Sequence, residues 1–376
     1  MTYGWARLSL LAAGILALRL ALYALITGHL RQMPEILCLH DCSWYTSIAT
    51  TGYNLKPISS GPQTGLANWA FLPLYPLLVH WLAAWGLSAV QAGFILSNTC
   101  FLGFMLLAYR YLSLVHDVPN PFLLFGFLAA FPYGLYFSFT YTESLYALLT
   151  LACFVSLARR QTIRASLFAA LLGATRVTGI VIWPILAIRL LYPAWRQIHQ
   201  NEWHEASRTL ARAPAPLLIA PLGLGLFIAY LALHVGDPLA FIHIQKSWHR
   251  TLGNPFFNLF GGLSAIWAAG LGPLLRYDCI FLSACGIIGL ALSAWIAKLG
   301  RFEEAAFLCM TILLAASTSL VSLQRYVLAN PVFLVFLFVF LAKARWRGFF
   351  PALILLCAAA QIYLLHLWLQ NNPLMI

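Results

Sequence analysis

The chain has 376 residues, of which 62% are hydrophobic and only 9% charged, and its mean hydropathy is +0.84. Soluble domains carry roughly a quarter of their residues as charges, so an ordinary soluble fold is excluded, and long apolar runs without alternation argue against an outer-membrane barrel. The formal charge of +12 sits in short basic clusters between apolar runs, a membrane-orientation pattern that assigns no nucleic acid as partner.

In chain order, the first apolar run covers roughly 5–27, carries Arg19 inside it and lacks a small-x-small cleavage site. It reads as an uncleaved first transmembrane helix. A long loop, 28–88, follows; its apolar segment near 70–86 is interrupted by Pro, which suggests juxtamembrane helices. Further spans are expected at roughly 89–112, 120–138, 141–158, 162–175, 177–191, 214–234, 277–296, 303–322, 326–342 and 349–369. Two of these meet at Thr175-Arg176-Val177 and are short enough to be half-helices. A segment near 256–274 is broken by Gly and Pro and reads as re-entrant or juxtamembrane. The expected fold class is all-α: a polytopic transmembrane helical protein with about 10–11 helices, residues 1–376 forming one membrane domain.

Placing the N-terminus inside puts Arg7, Arg110, Arg159, Arg160, Arg164, Arg189, Lys343, Arg345 and Arg347 among the inner cations. The inner face then outnumbers the outer in Lys and Arg by about two to one, as the positive-inside rule requires. The same topology sorts the ten acids: Glu303 and Glu304 fall inside with Asp117, Glu202 and Glu205. Glu35, Asp41, Glu143, Asp237 and Asp278 fall outside.

Among these, Asp41 stands beside Trp44 and Tyr45 in the first loop, where a carboxylate can take a proton from a sugar hydroxyl. The simpler reading is a helix cap. Trp44, Tyr45 and Tyr53 are expected at headgroup level. Glu143 lies between two apolar spans, where an ionisable group is costly unless paired or functional; a solvated helix-start carboxylate is the alternative. Arg176 and Arg325 each interrupt apolar sequence, and a guanidinium there suits phosphate recognition or plain interfacial snorkelling. The loop 241–250, with Gln245, Trp248, His249 and Arg250, can line a sugar site or form an interfacial belt. Cys38 and Cys42 flank Asp41; as i,i+4 neighbours on a helix they suit a disulfide poorly. No nucleotide-binding or zinc-protease motif is present. No cofactor or metal is required, and a divalent cation shared by Asp41 and Glu143 is left open.

These residues resemble the PIG-V family of membrane mannosyltransferases. The family pattern W-D-x-x-[HWY]-[FY]-x-x-I-A-x-x-G-Y runs in register from Asp41 through Trp44, Tyr45, Ile48, Ala49, Gly52 and Tyr53. It resumes at Asn68 to Pro76, and then at Tyr141 to Ser144, Arg176 to Gly179, Gln245 to Trp248 and Arg325-Tyr326. The resemblance implies the GT-C architecture and a polyprenyl-phosphate-mannose donor, with transfer to a lipid or glycan acceptor among membrane lipids. It also implies a multi-pass protein of the prokaryotic inner membrane with an outward-facing site, or of the endoplasmic reticulum if eukaryotic. Asp41 takes the catalytic position, and His40, Trp44, Tyr45, Asn68, Glu143, Arg176, Gln245, Trp248, Arg325 and Tyr326 are the expected substrate contacts. His40 departs from the family's Trp, which puts acceptor specificity at issue. On this reading, inverting transfer proceeds with Arg176 or Arg325 clamping the departing phosphate. A lipid or lipid-linked-sugar transporter is the rival, and a noncatalytic assembly subunit a third reading.

Overall fold

The structure, a computed structural model, describes residues 4–61, 63–248, 250–264, 273–342, 348–372 and 375. His249, Lys343, Arg345 and Arg347 lie outside the described residues. Every regular element described is helical. In order they are α1 (Trp5–Thr27), α2 (Met33–Leu37), α3 (Cys42–Thr51), α4 (Leu74–Ala83), α5 (Ala89–Val115), α6 (Pro121–Ala130), α7 (Glu143–Ala158), α8 (Thr162–Gly173), α9 (Ile182–His199) and α10 (Trp203–Ala211). There follow α11 (Pro214–Ile219), α12 (Leu222–His234), α13 (Ala240–His243), α14 (Pro255–Ser264), α15 (Pro273–Lys298), α16 (Phe302–Ala316), α17 (Leu323–Leu328), α18 (Pro331–Leu341) and α19 (Phe350–Leu369).

Among the described residues, five helices are long and apolar enough to cross a bilayer: 5–27, 89–115, 177–199, 277–298 and 350–369. A sixth crossing is available if the pair Trp203–Ile219 and Leu222–His234, bent by 44°, is one span. The protein is therefore an integral membrane protein of the all-α class. Shorter apolar helices, among them α6, α7, α8 and α18, fill the bundle.

Several expected spans are broken, and in each case proline explains the break. The run 120–138 stops at Ala130 because Pro132 removes a donor and forces Phe131 out of the helical region; a 3-10 turn, Pro132–Phe137, follows. The run 326–342 divides into α17 and α18 at Asn330-Pro331. There Asn330 accepts from the amides of Val332 and Phe333, and Pro331 begins the new helix, where its missing N–H costs nothing. Pro221 divides 214–234 in the same way. The Thr175-Arg176-Val177 junction separates a short α8 from a full-length crossing, so only the first of that pair falls short.

The first loop folds as α2, α3, a 3-10 turn at Asn68–Ala70 and α4. Its aromatics do not all lie at headgroup level: Trp44 and Tyr45 are buried, at 7% and 6% exposure, and pack on Phe71. The exposed belt comes from Trp81 and Trp85 instead.

Two polar clusters mark the two ends of α7. At its last turn the Leu157 carbonyl accepts from Arg189, whose guanidinium also holds Glu303 at 2.5 Å. Nearby, Glu304 accepts from Tyr111 and Arg301. Its first residue is Glu143. At 1.5 Å rise per residue the two ends lie about 21 Å apart, most of an apolar membrane thickness. The expected sorting of Glu143 from Glu303 and Glu304 is thus a physical separation.

Candidate active site

Asp41 sits at the start of α3, yet its side chain makes no capping hydrogen bond. Its turn is held from three directions. A Cys38–Cys42 disulfide closes the backbone around it. The Tyr141 hydroxyl donates to the Leu39 carbonyl at 2.9 Å and accepts from the Asp41 amide at 3.1 Å. His40, with φ at +52°, sets its ring edge-on to Trp368 at 4.9 Å. The disulfide corrects the expectation from spacing. Cys38 ends α2 and Cys42 opens α3, so the two are not on one helix, and their Cα atoms lie 5.2 Å apart.

The Asp41 carboxylate, 30% exposed, meets Arg325, which comes from α17: Nη1 donates to Oδ2 at 2.9 Å. The other edge of Arg325 reaches Glu143 Oε1, Nη2 at 2.8 Å and Nε at 3.2 Å. Arg176 Nη1 donates to the same oxygen at 2.9 Å. The Glu143 side chain is 1% exposed, that of Arg325 7% and that of Arg176 13%. Neither arginine snorkels to a surface, and Glu143 is no solvated helix-start carboxylate. The buried Glu143 and the partly exposed Asp41 offset the two guanidiniums, as charges withdrawn from water require. Aromatic faces complete the enclosure. Arg325 lies over Tyr136 at 4.9 Å and Tyr141 at 4.8 Å, and Arg176 over Tyr326 at 4.6 Å.

In front of this quartet opens a cavity of about 380 Å³. Its wall carries His40, Asp41, Tyr45, Arg176, Arg325 and Tyr326. Leu72, Val177, Leu252, Leu314 and Val321 among others add apolar lining, and the loop 241–250 adds Gln245, Trp248 and Arg250. Burial pushes the His40 imidazole below its ordinary value, so the neutral ring is favoured beside Asp41. The Tyr45 phenol is pushed well up, first by burial and then by the Asp41 carboxylate, so it stays a neutral hydroxyl. Behind the quartet, a chamber of about 10 Å³ touches Glu143, Tyr146, Thr178, Thr311 and Asn330.

Not every expected contact lies on this wall. Asn68 is taken up by the loop's own backbone: Oδ1 accepts from the Asn54 amide at 2.9 Å, and Nδ2 donates to the Gly52 carbonyl at 3.1 Å. Trp44 stands behind the wall, stacked on Phe71 and edge-on to Trp248. Glu143 also lies behind it, reaching the cavity through the two arginines it holds. Gln245, Trp248, Arg325 and Tyr326 line the cavity directly. Two rings under Arg325, Tyr136 and Tyr141, were not singled out as contacts, because a tyrosine in an aromatic-rich run carries no signal of what it will face. Arg250, in the same loop, lines the cavity as well, although its sequence context is that of an ordinary interfacial cation. No three His, Cys, Asp or Glu side chains form a metal-holding group among the described residues. The Arg325 guanidinium sits between Asp41 and Glu143, in the space a shared cation would need.

No family model matches the chain, and no curated protein does either. Among solved structures it is similar to the oligosaccharyltransferase of Archaeoglobus fulgidus. The apo form matches with a TM-score of 0.45 at 12% identity, over 96% of this chain and 56% of that one. A complex of the same protein with Zn and sulfate gives 0.42 at 14% identity, over 88% and 48%. The form tethered with an acceptor peptide gives 0.41 at 12%, over 96% and 55%. The chain spans about half the length of the structures it matches.

Proposed function

We propose that the protein is a membrane glycosyltransferase of GT-C architecture and PIG-V type. In this reading it moves mannose from a polyprenyl-phosphate carrier to a lipid or glycan acceptor, with inversion at C1. The observation that carries the proposal is the placement of Asp41: a fixed, partly exposed carboxylate in a cavity lined by both polar and apolar side chains. A prenyl chain suits the apolar lining, and a sugar suits the hydroxyl-bearing and charged groups.

In this reading each group has a task. Arg325 holds one carboxylate oxygen of Asp41, and no hydrogen bond engages Oδ1 among the described residues. That oxygen accepts the acceptor hydroxyl's proton as the hydroxyl oxygen attacks C1. The bond from C1 to the phosphate oxygen breaks with its electron pair, which leaves on the polyprenyl phosphate. Glu143 is the positioning residue: through Arg325 it fixes where Asp41 points.

The reading includes sidedness. The basic clusters gather at the Leu157 end of α7, so the positive-inside rule sets that end in the cytoplasm and the cavity on the outer leaflet of a prokaryotic cell membrane. The charged groups beside the cavity meet at the Glu143 end of α7, which in this reading favours transfer chemistry over a transporter. With Arg325 between the two carboxylates, the proposed reaction is metal-independent.

The test uses purified full-length protein, radiolabelled polyprenyl-phosphate-mannose and native lipid extract, in excess chelator. We expect a labelled glycosidic product, and a fall of about 10²- to 10⁴-fold in its rate for Asp41→Asn. Near-wild-type transfer by that variant sinks the base assignment. Movement of intact donor across vesicles without a new glycosidic bond sinks the transferase reading.

A further inference from the structure

We propose that the phosphate of the lipid carrier is held by Arg250, and not by Arg176 or Arg325. The inference rests on the transferase reading above and on the distribution of charge around the cavity.

Arg176 and Arg325 line the cavity, and sequence alone makes them natural phosphate clamps. Their charge is already matched, however. Arg325 is bonded to both Asp41 and Glu143, and Arg176 to Glu143. Two buried cations and two carboxylates make a neutral group. Every nitrogen of the Arg325 guanidinium is engaged as well, Nε, Nη1 and Nη2 each on a carboxylate oxygen, and Arg176 gives Nη1 to Glu143. A phosphate approaching them would have to displace an acid or sit beside Asp41, anion against anion.

Arg250 differs on each point. It lines the same cavity, it is only partly exposed, and it makes no ion pair among the described residues. Its backbone amide is bonded to the Gln245 carbonyl at 3.0 Å, which anchors the loop and leaves the guanidinium on the wall. Its charge also reaches Tyr326, the ring that carries Arg176, on the same cavity. Trp248, two residues earlier, lines the same cavity and extends the loop along it. Leu252 continues the loop with an apolar side chain on the cavity. A phosphate monoester with an attached hydrocarbon chain fits this order of groups: donors first, then apolar surface. The planar guanidinium matches two phosphate oxygens and keeps its charge at any working pH.

The arrangement also separates the two anions of the reaction. Asp41 collects a proton while held by Arg325, and the departing phosphate meets a different cation, Arg250. A clamp independent of the base lets the leaving group be stabilised without drawing Arg325 away from Asp41.

Binding of labelled farnesyl phosphate to the full-length detergent-solubilised protein tests this, with farnesol as the uncharged control and inorganic phosphate as competitor. Arg250→Gln is expected to weaken farnesyl phosphate roughly ten- to a hundredfold, the scale of a lost charge-assisted hydrogen bond, with farnesol unchanged. Arg250→Lys should recover part of the loss. Equal affinity of Arg250→Gln and wild type overturns the assignment. So does a wild type that fails to prefer farnesyl phosphate over farnesol, or inorganic phosphate competing as well as the prenyl ester. Glycosyl product from wild type alongside any of those results keeps the transferase reading and discards only this site. Arg250-dependent binding without any product does the reverse.

Discussion

Replacing Glu143 with Gln keeps the shape of the side chain and removes its charge. Glu143 Oε1 accepts three hydrogen bonds, from Arg176 at 2.9 Å and from Arg325 at 2.8 and 3.2 Å, and the side chain is 1% exposed. Each contact between opposite charges at such range is worth about 4 kcal/mol at an effective dielectric of 20. The dehydration of the three ions, several kcal/mol each, offsets most of that attraction in the intact protein. Removing the carboxylate leaves the dehydration of Arg176 and Arg325 standing, with Asp41 as their remaining anion and a net positive charge in the protein interior. A loss of about 3–5 kcal/mol is expected, the usual scale for breaking a buried pair from one side. Denaturant unfolding of the detergent-solubilised protein measures it. The double variant Glu143→Gln, Arg176→Gln restores neutrality and should be less destabilised than the single one, a sign that distinguishes charge balance from disturbed packing. A single variant within about 0.5 kcal/mol of wild type, the range of neutral surface changes, refutes the buried-quartet argument.

Two further outcomes follow from the Asp41 turn. Burial lowers the folded-state value of His40 below the unfolded 6.5, so between those two values the unfolded chain binds the proton first. Stability should therefore drop as pH falls below 6.5 and level off beneath the folded value. His40→Asn, which also tolerates the positive φ, should flatten that dependence in thermal melts; a slope unchanged by the substitution counts against the assignment. The disulfide closes a short ring, Cys38 to Cys42, worth about 2 kcal/mol of chain entropy in the loop-closure account. The Cys38→Ser, Cys42→Ser variant should melt lower and lose transfer rate. In membranes prepared without reductant, thiol alkylation should leave both cysteines unlabelled, and full labelling of both would remove the clamp from the mechanism.

The all-α membrane class was legible from apolar runs alone, and α1, α5 and α19 begin and end within a few residues of the expected spans. Such runs are long, and burial in lipid leaves a strong compositional trace. Breaks were less legible because hydropathy stays high across them. Asn330-Pro331 and Ala130 to Pro132 interrupt backbone hydrogen bonding without interrupting apolar composition. Single charges in apolar sequence pointed correctly to places that need partners: Glu143, Arg176 and Arg325 prove to be one another's. Which acid pairs with which arginine was not readable, since the contact between Arg325 and Asp41 spans 284 positions of sequence. Asn68 misled for a related reason. An amide in a loop has the same appearance whether it faces a ligand or the loop's own carbonyls.

The pairing changes what the arginines are for. Read singly, a cation in apolar sequence suggests an anion to be bound from outside, and two of them suggest a phosphate clamp. Read together, Arg176 and Arg325 already hold their anions, so in the proposed reaction their role is to fix Asp41 at low net charge. A neutral frame has a functional advantage on a membrane surface: it positions a base without attracting every anionic headgroup that passes. Binding strength then has to come from a cation outside the frame. On this surface Arg250 meets that condition, since it lines the same cavity with no carboxylate partner among the described residues. Frame and clamp should therefore fail differently. Loss of Glu143 should lower stability and the catalytic rate together, whereas loss of Arg250 should weaken donor binding in a protein that remains folded.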